Sequence, residues 1–162
     1  MIKLQNLLHF ARNEAGGSLA ELAILVPLLL VMLAAVSEFG RYFQTYTTLA
    51  KATRASARYM SNHALTDAEK LKAKNLVVCG RAVADCAGAT LVPGMSVAKV
   101  CLETTGSPKV ETVTIRLPRT AAEGCGAPQN YTPIFNIGAL LHTSFSFAPA
   151  IAPSTTMRYM ID

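Results

Sequence analysis

The sequence predicts an α+β chain: a long amino-terminal helix that continues past an apolar span into an exported domain with a small antiparallel sheet. Three observations carry this. Leu22 to Val36 is an uncharged apolar run, a helical stripe continues from there to Met60, and beyond Pro93 the pattern changes to period two. Of the 162 residues, 51% are apolar and 15% charged, against about 25% charged in an ordinary soluble domain. That length allows one core plus one extension and excludes a multidomain enzyme. The net charge of +5 permits an anionic partner without requiring one.

Residues 1–16 carry Lys3 and Arg12 against Glu14 and run into the Gly16-Gly17 pair, which reads as a basic leader closed by a helix breaker. Between Gly17 and Ser37 the only ionisable group is Glu21. A helix of that length rises about 31 Å, close to the roughly 30 Å hydrocarbon core of a bilayer. Positive charge before the span and Glu38 after it place the amino terminus in the cytoplasm and the rest outside. The chain accordingly divides into a leader at 1–16, a transmembrane helix at 17–37, an exported continuation of the helix at 38–62 and an exported α+β domain at 63–162. A cleavable secretory signal with its cut near Ser37, at the small-residue site Ala35-Val36-Ser37, is the rival reading. It fits less well, because the leader is long and a carboxylate stands at the entrance of the apolar run.

Glu21 has two readings. Ser18-Leu19-Ala20-Glu21 has the spacing of a capping box, with Ser18 as helix cap and Glu21 three residues on. Alternatively, a cut after Gly16 creates an amino group on Gly17 and makes Glu21 the fifth residue of the product, so that the carboxylate meets an amine of its own or a neighbouring chain. A carboxylate at mid-membrane costs about 2 to 3 kcal/mol, so a partner is expected. Pro27 lacks the N–H of a helical residue and should bend the helix or loosen a turn.

Past the span, Phe39, Phe43, Tyr46, Ala50, Ala57 and Met60 form a stripe at helical spacing, and no proline interrupts residues 28–92. One rod from about Ser18 to Asn62 follows, half in lipid and half packed on the domain. Lys51, Arg54 and Arg58 share another face within the acid-free stretch Arg41 to Thr66. No aromatic residues interleave with them, so contact with anionic lipid or an acidic neighbouring subunit is expected, and nucleic acid is not. Thr66 to Glu69 is a second S/T-x-x-E cap, opening a short helix with lysines 70, 72 and 74 that ends at Gly80. Strands are expected over Val97 to Thr104, Val113 to Leu117, around Phe145 and Phe147, and around Met157 and Tyr159, giving three or four strands. Residues 119–142 read as a long connection whose apolar end, Ile134 to Leu141, is either buried or a partner-binding patch, burial being favoured.

Cys79, Cys86, Cys101 and Cys125 all fall on the side placed outside the cytoplasm, where thiols oxidise. Of the three pairings, Cys79 with Cys86 and Cys101 with Cys125 are favoured, closing the end of the second helix and pinning the long connection. The sequence leaves connectivity open, and free thiols are the alternative. No C-x-x-C, phosphate loop or nucleophile elbow is present, and His9, His63 and His142 have no acid partner in a recurring pattern. No enzyme, cofactor or metal is expected.

These residues resemble the TadE-like pseudopilins of the tight-adherence (Flp, type IVb) pilus systems. The string is Gly16, Glu21, Leu22-Ala23-Ile24-Leu25-Val26-Pro27 and Glu38-Phe39-Gly40-Arg41, with likeness over about residues 12 to 60. Thr155 to Tyr159 looks like the family's closing strand, and Leu22 stands where the family usually has Phe. The resemblance implies a minor pilin or pseudopilin, anchored in the bacterial inner membrane and taking part in assembly of an adhesive pilus. It implies cleavage after Gly16 by a prepilin peptidase, a membrane aspartyl protease, with Gly17 as the new terminus. Glu21 would then neutralise the amine of an adjacent subunit. The implied partners are the peptidase, other pilins and pseudopilins, and membrane lipid. An unprocessed signal-anchored periplasmic protein and a soluble secreted binding domain are the alternatives.

Overall fold

The structure, a computed structural model, describes residues 14–135 and 148–161. Most of the leader, the strand expected around Phe145 and Phe147, and the stretch from residue 136 through Leu141 lie outside the described residues. The chain divides into two compact units, one up to Gly40 and one from Arg41.

Helix α1 spans Glu14–Ser61. It begins before the expected start and passes through Gly16 and Gly17, so the glycine pair does not break it and Ser18 lies inside it instead of capping it. Each glycine costs about 1 kcal/mol relative to alanine, which the leucine- and alanine-rich run that follows outweighs. A Cβ at Gly17 would meet nothing within 4 Å, so no packing requires glycine there. Pro27 is also accommodated within α1, where its missing N–H leaves the Ala23 carbonyl without its intrahelical donor. In the first unit the apolar residues are exposed on every side of the helix, among them Leu19, Ile24, Leu30, Leu33 and Val36. This helix is long and apolar enough to cross a membrane.

The second unit is α+β. It contains the last part of α1, helix α2 (Asp67–Cys79), and strands β1 (Cys101–Thr105), β2 (Thr112–Arg116) and β3 (Ser154–Arg158). The three strands form one antiparallel sheet in the order β1-β2-β3. The hydroxyl of Thr66 accepts the Glu69 N–H at 3.3 Å to open α2, and Gly80 closes it at φ +74° with its N–H donating to the Leu76 carbonyl at 3.0 Å. The run expected to be strand from Val97 instead opens as a 3-10 turn, Val97–Lys99. The Lys99 ammonium holds that turn by donating to the Gly94 carbonyl at 2.7 Å and to Gln129 Oε1 at 3.0 Å.

The buried stripe of α1 keeps Ala57 and Met60 of the expected one and departs from it elsewhere. Leu49, Ala52, Thr53, Ser56, Ala57 and Met60 are buried, whereas Phe39, Phe43 and Tyr46 are exposed. Packing selects the small residues because they let backbones approach: the Ser56 hydroxyl donates to the Ala73 carbonyl of α2 at 2.6 Å. Leu49 and Met60 then reach a core completed by Val77, Val113, Ile115 and Ile151. Of the apolar end of the long connection, Ile134 and Phe135 are described and both are exposed, contrary to the burial favoured from sequence.

Candidate functional site

Gly16, Gly17, Glu21 and Pro27 all lie on α1. Gly17 and Glu21 are four residues apart, on one helix face and about 6 Å apart along the axis. The Glu21 side chain is exposed and makes no ion pair or hydrogen bond among the described residues. Leu19, Leu22, Ile24 and Leu25 surround it, each more than half exposed. In hydrocarbon, such a carboxylate must either find a partner or take up a proton. The lone carboxylate and the uniformly apolar helix around it can bind helix to helix and fix register through one charge. Among the described residues no group of three or more His, Cys, Asp and Glu side chains gathers to hold a metal.

In the second unit, Cys79 is bonded to Cys86 and Cys101 to Cys125. The first pair closes the end of α2 over Asn75, whose buried amide donates to the carbonyls of Val83 at 2.8 Å and Ala84 at 2.9 Å. The second ties the start of β1 to the segment after the 3-10 turn Ala121–Glu123. Arg116 reinforces that tie. Its Nη2 donates to Glu103 at 2.6 Å and its Nη1 to Glu123 at 2.5 Å, and hydrogen bonding to Glu103 raises the guanidinium pKa further above its ordinary value.

His63 stacks on Tyr59 with ring centroids 3.8 Å apart, a packing role at the end of α1. His9 and His142 lie outside the described residues. Lys51, Arg54 and Arg58 are exposed along α1. Sequence reasoning missed a cleft of about 350 Å³ between α2 and β1, rimmed by Lys70 and Lys74. The i, i+4 spacing of these lysines was the available signal, but only the fold brings β1 beside them.

Residues 16–58 match the model of the family described as TadE-like protein. No curated protein and no solved structure matches the chain. The matched segment starts at Gly16, includes Gly17, Glu21 and Pro27, and ends within the buried part of α1. Over residues 16–58 the chain is similar to the TadE-like family.

Proposed function

We propose that this protein is a minor pilin or pseudopilin in assembly of a type IVb (Flp/Tad) adhesive pilus, cut after Gly16 by a prepilin peptidase. The observation that carries this is the family match beginning at Gly16, with Glu21 at the fifth position after it. The apolar helix anchors the chain in the inner membrane, with the leader in the cytoplasm and the domain in the periplasm. Two cystines in the domain support the oxidising side for it. Phe39, Phe43 and Tyr46, exposed just past the apolar run, suit the interface where aromatic rings sit at headgroup level.

In this reading cleavage frees an ammonium on Gly17, and Glu21 of a neighbouring subunit neutralises it inside a bundle of like helices. An ion pair in a dry bundle persists because losing either partner strands the other charge. The lipid-facing surface of each helix then becomes the contact surface between subunits. Its role is in assembly and not in chemistry, and its partners are the peptidase, lipid and other pilins.

Intact mass of the chain purified from its own host tests the processing step. Loss of residues 1–16 is expected. An intact chain, or loss of about 37 residues, would overturn it. Glu21→Ala should still be cut yet fail to support piliation, and normal piliation in that variant would remove the amine-pairing role.

A further inference from the structure

Among the described residues one edge of the sheet carries no further strand, and it lies beside the cleft that the lysines rim. β1 is an outer strand, and its bonding phase follows from the register. The Leu117 N–H donates to the Pro153 carbonyl at 3.1 Å and the Tyr159 N–H to the Glu111 carbonyl at 2.8 Å. The odd-numbered residues of β2 therefore bond to β3, and the even-numbered ones turn towards β1. With Thr112 opposite Thr105, Thr114 opposite Glu103 and Arg116 opposite Cys101, those three residues of β1 bond inward. Leu102 and Thr104 turn their N–H and C=O groups outward, and neither finds a backbone partner among the described residues.

The side chains of these same two residues line the cleft. Leu102 and Thr104 stand opposite Ile115 and Val113, on the face of the sheet that carries the core. At the edge strand α2 covers this face only in part, which leaves an apolar floor of Leu71, Val97 and Leu102. Lys70 and Lys74 stand over it. Lys70 is 3.4 Å from the fully exposed Asp67, and Lys74 makes no ion pair among the described residues. The cleft thus carries one more positive than negative charge.

We infer that the edge of β1 is a docking site for an extended, acidic segment of a partner protein, which adds a strand at Leu102 and Thr104. The added strand supplies the missing backbone bonds, places an apolar side chain over Leu71 and Leu102, and brings a carboxylate to Lys74. Main-chain bonds give such a contact its affinity, and the floor and lysines give its selectivity. An open edge of this kind otherwise invites unspecific pairing, and the lysine rim biases it towards acidic partners.

The test uses the full isotope-labelled chain in detergent micelles, titrated with the blocked peptide acetyl-Glu-Val-Thr-Val-Glu-amide and with its lysine counterpart. Saturable shifts of the Leu102 and Thr104 amides are expected with the acidic peptide and not with the basic one. Lys70→Glu combined with Lys74→Glu should weaken the response at least tenfold. Thr104→Pro, which removes an outward N–H that the sheet does not use, should abolish it. The inference is overturned by an equal response to both peptides or by no saturable shift at millimolar peptide. It is also overturned if raising the chain concentration alone reproduces the shifts, because the edge would then belong to a second copy.

Discussion

The Tyr59 hydroxyl near the end of α1 donates to the Glu69 carboxylate in the first turn of α2, at 2.5 Å, and fastens the two helices across their connecting turn. Glu69 also accepts from Lys72 at 2.8 Å. The Lys72 bond first, and the Tyr59 bond second, lower the Glu69 pKa, while the bond to Glu69 raises that of Tyr59. The lowered carboxylate contributes stability that is complete above its unfolded value and is lost as pH falls through the folded one. The raised phenol contributes stability that is complete below its unfolded value and is lost as pH rises through the folded one. Thermal melting should therefore show a plateau at neutral pH with shoulders on both sides. Glu69→Gln should flatten the acid shoulder and Tyr59→Phe the alkaline one. An unchanged pH profile in both variants would count against the fastening.

Asn75 is the buried polar group on which the turn after α2 hangs, because its amide satisfies two carbonyls of the irregular 81–86 segment. Leaving buried partners unpaired costs about 1 to 3 kcal/mol. Asn75→Ala should lower domain stability by about that amount. Urea unfolding followed by tyrosine fluorescence reads the domain alone, since all five tyrosines lie at or after Tyr42. A midpoint within error of the parent would show that the segment holds itself.

Gly126, next to the cystine at Cys125, has φ +91°, and a Cβ there would lie 2.3 Å from the Ala98 carbonyl oxygen. Both features disfavour any side chain. Gly126→Ala should cost about 1 to 3 kcal/mol from the backbone conformation alone, and more from the clash. Unpaired Cys101 and Cys125 should accumulate in the variant, as thiol labelling without reductant would register. Full oxidation and a parent-like unfolding midpoint would contradict this.

The long amino-terminal helix, the second helix with both its ends, the three strands and the TadE-like segment were legible because each has a local signature. Glu21 stands alone in an apolar run, Thr66 and Glu69 have cap spacing, and Val113 to Leu117 alternates. What was not legible depended on tertiary context. The aromatic residues Phe39, Phe43 and Tyr46 have ideal spacing for a core stripe. The core kept Ala57 and Met60 of that stripe but took Ala52 and Ser56 in place of the aromatics, because a helix crossing against Ala73 requires small side chains. Val97 alternates as a strand should, yet Lys99 folds it into a turn by reaching Gly94 and Gln129, and Gln129 lies thirty residues on in the chain. The glycine pair failed as a breaker because breaking power belongs to the whole run, and this run favours helix.

The two cystines close loops of different length, with sequence separations of 7 for Cys79–Cys86 and 24 for Cys101–Cys125. Chain entropy assigns about 2 to 3 kcal/mol to the shorter and about 3 to 4 kcal/mol to the longer. The longer loop, however, retains a second clasp when its cystine is removed, since Arg116 still holds both Glu103 and Glu123. Removing Cys101 and Cys125 together should therefore cost less than the loop length indicates while the ion pairs stand. Adding Arg116→Ala to the variant that combines Cys101→Ser and Cys125→Ser should lower stability by more than the sum of the two changes. Denaturant midpoints of the parent, the cystine-free variant, Arg116→Ala and their combination form the cycle that measures this coupling. Strict additivity would show that the cystine and the arginine secure the connection independently, whereas a surplus loss in the combined variant identifies them as alternative fastenings of one segment.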